Sequence, residues 1–143
     1  MGRIYVERRE LPPDLRELLD VIWDGGAHQA SIPAECTPSL DVLDTDGGIE
    51  LIMDLPGVAA ASLQIVFSRN VLIVAGEKLP AREHTDAAFH LAERGFGRFA
   101  RAVRLEGAFD AGRADASLQA GELRVRLPRI EERRGSEIRI PIR

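Results

Sequence analysis

From Leu40 onward, apolar and polar residues alternate with a period of two, which is typical of strands with one buried face. Turn residues, mainly glycine, asparagine, aspartate and proline, interrupt the alternation. The pattern predicts eight short strands, at residues 40–44, 48–55, 62–68, 70–77, 89–94, 97–105, 114–119 and 122–128. Because no helical period separates them, we expect an all-β fold, an immunoglobulin-like antiparallel β-sandwich.

The segment before these strands has a helical period instead. From Pro13, apolar residues recur at spacings of three and four, and two glycines follow. The positions of this apolar face are Leu15, Leu18, Leu19, Ile22 and Trp23. Such a short helix is marginal in water by itself, so its apolar face needs a partner surface.

These changes of pattern divide the chain into three parts. We expect an N-terminal arm with the short helix at 1–37, the β-sandwich at 38–129 and a flexible C-terminal extension at 130–143. The extension ends in IRIPIR, which places Ile138, Ile140 and Ile142 on one side of an extended strand.

One strand position breaks the polar and apolar alternation. In the strand at 97–105, Arg101 shares the apolar face with Phe99 and Val103. Burying an unpaired guanidinium is costly, so the arginine is expected to meet a carboxylate, inside the domain or across a subunit interface. The alternative is that the strand end bends and the side chain reaches water.

Composition and charge narrow the setting. A hydrophobic fraction of 45% favours a folded domain, and a formal net charge of −4 gives no reason to expect a nucleic-acid partner, since such binders carry a basic surplus. The single cysteine, Cys36, closes no intramolecular disulfide and fits a reducing compartment. With no signal peptide and no apolar run of membrane-spanning length, we expect a cytoplasmic protein without a membrane span.

Residues for catalysis are sparse in this chain. The three histidines, His28, His84 and His90, are scattered and have no metal-ligand spacing with one another or with Cys36. No nucleophile, base and orienting group come together in the pattern. We therefore expect neither an enzyme nor a cofactor or metal site.

Three segments carry a resemblance to a known family. They read MDLPGVAAASLQIVFSRNVLIVAGEK (53–78), FHLAERGFGRFARAVRL (89–105) and ADASLQAGELRVRLP (114–128), and an I-x-I tail follows. In this order and spacing they resemble the alpha-crystallin domain of small heat-shock proteins of the bacterial and plant type. The resemblance covers roughly residues 38–143, and the first 37 residues match only in role, as a variable N-terminal arm.

The resemblance implies an ATP-independent holdase chaperone that assembles with itself and binds partly unfolded client proteins. It also implies that the strand near 89–94 crosses to a partner and builds a dimer, and that Arg101, in the family's F-x-R pattern, braces this dimer through a charge pair. The implied interface residues are Phe89, His90, Leu91, Glu93, Arg94 and Arg101.

The I-x-I tail is implied to join subunits by filling a groove between two edge strands of a neighbour. The implied groove residues are Leu63, Ile65, Phe67, Ala114, Ala116 and Leu118. For Leu63 and Leu118, ordinary sandwich core stays an alternative. The tail has two overlapping registers, Ile138 with Ile140 or Ile140 with Ile142, and Pro141, which donates no hydrogen bond, favours the second.

Client proteins are expected to bind the groove and the apolar helix face of the arm, Leu15 to Trp23. The alternative function is a non-chaperone, cochaperone-like sandwich that binds one partner as a monomer. The I-x-I tail argues against this alternative, and a light-scattering mass separates the two.

Overall fold

The computed structural model describes residues 4–24, 36–80, 86–130 and 140. Its strands are β1 (Tyr5–Val6), β2 (Leu40–Thr45), β3 (Gly48–Asp54), β4 (Gln64–Ser68), β5 (Val71–Lys78), β6 (Gly97–Arg104), β7 (Asp115–Gln119) and β8 (Glu122–Pro128). A single α-helix among the described residues, α1 (Pro13–Asp24), lies at the position that the sequence predicted.

The strands form two four-stranded antiparallel sheets. Sheet A has the order β1-β6-β5-β4, and sheet B has the order β2-β3-β8-β7. The inner faces of the two sheets meet in one apolar core, to which alternate residues of β3, β5, β6 and β8 contribute. The predicted all-β sandwich is therefore confirmed.

Tight turns set the register of the neighbouring strands. Between β4 and β5, Arg69 and Asn70 both have positive φ angles, 51° and 60°, the backbone that matches the twist of a two-residue hairpin. The Asn70 side-chain amide donates to the Gly107 carbonyl oxygen at 2.9 Å, which ties this turn to the chain after β6. At the start of β3, a side chain at Gly48 would overlap the backbone of β8, so only glycine fits there.

Strand β5 is buried on both of its faces. Leu72 and Val74 point into the core between the sheets, whereas Val71, Ile73 and Ala75 point to the outer face of sheet A. There they form a second apolar cluster with Ala102 of β6 and with three residues of the N-terminal arm, Val6, Leu11 and Leu15. The arm therefore packs on the sandwich as an additional layer.

The outer face of sheet B is polar instead. Arg124 of β8 donates to Glu50 of β3 at 2.7 Å and to Glu122 at 2.8 Å, and these two carboxylates hold the pKa of the guanidinium above its ordinary value. Ile52 lies directly opposite Arg124 in the ladder and is half-buried. No layer of described residues covers this face.

The strands of the single chain differ from the predicted ones at two places. Residues 89–94 form no strand, because none of the described strands pairs with them. The arm, in contrast, contributes a strand that the pattern did not predict: Tyr5 and Val6 pair with Val103 and Ala102 at the edge of β6. Two residues are too few for a period to show, and their partners lie about two thirds of the chain away in sequence.

Candidate functional site

The residues of the predicted groove lie on or next to the edge strands β4 and β7. On the other side of the sandwich, the Arg101 guanidinium of β6 donates to the Pro38 carbonyl oxygen at 2.6 Å, close to the start of β2. This contact joins the β6 side of sheet A to the β2 side of sheet B. The strands at the other ends of the two sheets, β4 of sheet A and β7 of sheet B, must then face each other. The Phe67 and Phe109 rings agree with this, since they meet edge to face at 6.0 Å just before β7 begins.

Four of the six groove residues are half-buried, and the other two are exposed. Leu63, just before β4, and Ile65 and Phe67 on it are half-buried and pack against the main core, as does Leu118 of β7. Ala114 and Ala116 are exposed. Half-buried apolar side chains beside small exposed alanines leave apolar surface that an inserted side chain would cover.

The edges of this groove also have unused backbone groups. β4 pairs only with β5, and β7 pairs only with β8, among the strands that the structure describes. An extended peptide laid along either edge gains main-chain hydrogen bonds while its alternate side chains enter the groove. The arrangement is chemically suited to binding an extended apolar peptide.

The tail that would supply such a peptide is described at one position. Ile140 is 83% exposed, so in this single chain it occupies no groove. Ile138 and Ile142 lie outside the described residues, and the choice between the two registers stays a prediction.

The segment at 86–96 extends from the sandwich without pairing to a described strand. Phe89 is 86% exposed and Leu91 is 74% exposed, and His90, Glu93 and Arg94 are exposed beside them. Only the end of the segment is held, where Phe96 contacts the charged groups of Arg94 and Lys78 at 5.0 and 5.8 Å. Large exposed apolar side chains on an extended segment indicate a surface that a partner covers.

Arg101 meets a carbonyl group where the sequence predicted a carboxylate. Besides its hydrogen bond to Pro38, its guanidinium lies 5.7 Å from the centre of the Tyr5 ring. The side chain is half-buried, so it is neither sealed in the core nor fully in water. Among the described residues, the printed partner of Arg101 within the chain is thus a carbonyl group and not a carboxylate, and a carboxylate across a subunit interface stays a prediction.

The arm places its predicted client-binding residues in different environments. Leu15 is only 3% exposed and packs on the outer face of sheet A, whereas Leu18 is 36% exposed. The side chains of Leu19, Ile22 and Trp23 lie outside what the structure describes. Sequence reasoning missed Val6 and Leu11, which share the cluster of Leu15. The unbroken apolar run VLIVA at the start of β5 is a signal that could have revealed their binding surface, since such runs are typical of strands buried on both faces.

The described residues contain no group of three or more histidine, cysteine, aspartate or glutamate side chains that could hold a metal ion. Cys36 is half-buried and packs against the core. No helix in the described ranges has the length and apolar character to cross a membrane.

Comparison with known proteins gives consistent matches. A model of the Hsp20/alpha crystallin family matches residues 41–143. Heat shock protein 16 of Schizosaccharomyces pombe is 31% identical over 124 residues, which are 85% of this chain and 87% of that protein. The 16.9 kDa class I heat shock protein 1 of Triticum aestivum is 34% identical over 117 residues, 81% of this chain and 76% of that protein.

Solved structures agree with these matches. Heat shock protein 16.0 from Schizosaccharomyces pombe superposes with a TM-score of 0.65 at 30% identity, over 76% of this chain and 100% of that chain. A small heat-shock protein from Xylella fastidiosa superposes with a TM-score of 0.66 at 26% identity, over 76% of this chain and 98% of that chain. The Xylella fastidiosa structure reveals a distinct high order structure.

Proposed function

Because the chain belongs to the Hsp20/alpha crystallin family, a family of non-enzymatic chaperones, we propose that it is an ATP-independent holdase. It binds partly unfolded proteins and prevents their aggregation under stress. The observation that carries this proposal is an apolar groove between two edge strands, on a chain whose own tail exposes Ile140. A chaperone of this kind needs apolar surface that opens and closes without nucleotide chemistry.

The tail and the groove are proposed to join subunits. Ile140 and Ile142 enter the groove of a neighbour beside Ile65 and Leu118, and the tail backbone adds to an edge strand. Two buried isoleucines contribute about 3 to 6 kcal/mol gross, and ordering and docking a tail costs a comparable amount. One tail therefore binds weakly. Several tails in a closed assembly gain from effective concentration, so the oligomer persists while single contacts open.

The dimer is proposed to form through the segment at 89–94. A strand formed by this segment needs a free edge to pair with. The two sheets have four outer strands, β1, β2, β4 and β7. Of these, β4 and β7 flank the groove, and the two-residue β1 covers the edge of β6. This leaves β2, which pairs only with β3 among the described strands. Phe89 and Leu91 would then be covered by a partner, near the Arg101 contact with Pro38.

The proposed holdase is tested by heating an aggregation-prone model protein with and without this chain, in the absence of ATP. Suppressed light scattering supports the proposal. If aggregation is unchanged and the chain is a monomer by light scattering, the cochaperone-like binding module is favoured instead. A cytoplasmic location and the absence of a nucleic-acid partner stay predictions from the sequence.

The tail is tested by deleting residues 138–143. We expect a folded dimer, because the sandwich and the segment at 89–94 are intact. Particles still larger than dimers would count against the tail as a linker. Ile142→Ser compared with Ile138→Ser identifies the register, since only the isoleucine that enters the groove lowers the mass of the assembly when it is replaced.

A further inference from the structure

The outer face of sheet A has an apolar strip that the groove and the dimer segment do not use. Val71, Ile73 and Ala75 of β5 lie on it beside Ala102 of β6, and each is buried. What buries them is the arm: Val6, Leu11 and Leu15 form one cluster with the strip. A sheet face with this composition needs a cover in water, because burial of apolar surface is favourable.

The arm is held by its buried apolar side chains, by a short backbone pairing and by polar contacts, among them the Arg101 guanidinium at 5.7 Å from the centre of the Tyr5 ring. β1 pairs with β6 over two residues, and one further hydrogen bond runs from the Arg104 amide to the Ile4 carbonyl oxygen at 2.6 Å. The ion pair between Asp14 and Arg69, at 3.2 Å, joins two largely exposed side chains. Exposed pairs contribute little, and ordering an arm costs conformational entropy. The arm can therefore leave while the sandwich stays folded.

We propose that residues 4–15 are a releasable cover, and that the uncovered strip with the edge of β6 binds an extended apolar segment of a partly unfolded protein. The bound arm shows the chemistry that the site accepts. It supplies an antiparallel backbone strand to β6 and places one β-branched side chain, Val6, against Ala102. This inference rests on the proposed holdase function and adds to it a second client site, closed in the resting chain.

A reversible disulfide tests the cover. Val6 and Ala102 lie directly opposite in the β1-β6 ladder with both side chains on the covered face, and opposite residues of antiparallel strands are within disulfide reach. Val6→Cys with Ala102→Cys, in a Cys36→Ser background, closes the cover when oxidised and releases it when reduced. The matched control is Leu43→Cys with Glu50→Cys, an opposite pair on β2 and β3 of sheet B.

The measurement is binding of a permanently unfolded, carboxymethylated lactalbumin, followed by fluorescence anisotropy. Oxidation of the arm pair is expected to weaken binding at least tenfold, and oxidation of the control pair is expected to leave it unchanged. Equal affinity of the oxidised and reduced arm pair overturns the inference while the holdase function stands. Absence of binding in every form, together with unsuppressed aggregation, overturns the holdase function as well.

A second variant tests the release by itself. Val6→Asp is expected to free the arm, to tighten lactalbumin binding several-fold and to speed hydrogen exchange of the Arg104 amide. An alternative occupant of the same strip is the arm of a second copy of this chain. In that case, oxidation of the arm pair lowers the mass of the assembly and leaves lactalbumin binding unchanged, which overturns the proposal.

Discussion

The two outer faces of this sandwich meet water in opposite ways. On sheet B, Arg124 lies between the carboxylates of Glu50 and Glu122, and this charged row needs no further layer. On sheet A, the central strand presents Val71, Ile73 and Ala75, and the N-terminal arm covers them. The inner faces of both sheets share one core, so the contrast lies only outside it.

In our proposal, the difference identifies the face whose exposure to water changes. A charged face has the same surface before and after the arm moves. An apolar face under a weakly attached arm has two states, and only the open one offers surface for an unfolded protein. The position of the arm, and not the fold of the sandwich, therefore separates a resting chain from a binding one in our proposal.

The strongest test of the contrast places the same charge on both faces. Ile73→Glu places an unpaired carboxylate at a position that is 1% exposed under the arm, and we expect it to lower the free energy of unfolding by about 2 to 3 kcal/mol, because the arm must undock before the carboxylate reaches water. Ile52→Glu, beside Arg124 on the outer face of sheet B, is expected to change it by less than about 1 kcal/mol. Urea unfolding measures both. Equal losses would show that the faces do not differ.

The next largest effect concerns the connection between the two sheets. Arg101→Ala removes the donor to the Pro38 carbonyl, and we expect a loss of about 1 to 3 kcal/mol, the range for a hydrogen bond to a charged group. The melting temperature and the particle size should both fall. Arg101→Lys keeps the charge and is expected to lose less. An unchanged melting curve with an unchanged particle size would contradict the role of this side chain.

Loosening the cover should have a local effect. Leu15→Ala removes a buried contact of the arm, yet the expected loss of global stability is below about 2 kcal/mol, less than is common for buried leucines, because the arm can undock separately. Hydrogen exchange of the Arg104 amide should accelerate clearly. Leu18→Ala, on the more exposed side of the same helix, should leave that exchange unchanged. If both variants behave alike, Leu15 does not hold the arm.

The smallest effect is expected on the charged face. Arg124→Ala removes two ion pairs whose members are partly exposed, and such pairs contribute little. The melting temperature should change less than in any variant above, and high salt should reduce even this difference because it screens exposed charges. A large change that persists in high salt would mean that the row of charges does more than keep this face soluble.

The sequence predicted the parts of the fold that depend on local pattern. Alternation located β2 to β8 apart from their exact ends, and the spacing of leucines located α1. The segment at 89–94 has a strand pattern but forms no strand, since it pairs with none of the described strands of its own chain. β1 was missed for the converse reason, since its two residues form a strand only because β6 has a free edge.

The candidate site was predictable to a similar extent. The groove residues followed from the family resemblance and their parity; the structure places them on or next to the edge strands β4 and β7, and their role as a groove stays a prediction. The partner of Arg101 did not follow, because the Pro38 carbonyl is a backbone group and no side-chain pattern marks it. The cover over sheet A was also missed, since it requires knowing that one face of β5 is left without a second sheet.

The pairing of Tyr5 with Val103 also has a consequence for how each chain is made. The arm leaves the ribosome before β6, the strand on which it docks, because about 90 residues separate the two in the chain. Contacts so distant in sequence form late in folding because closing the long loop is entropically costly. We expect every newborn chain to pass through a period with the arm undocked, which delayed protection of the Arg104 amide in pulse-labelled refolding would reveal. The chain with an undocked arm is then the form that appears first after synthesis, and the chain with a docked arm forms last.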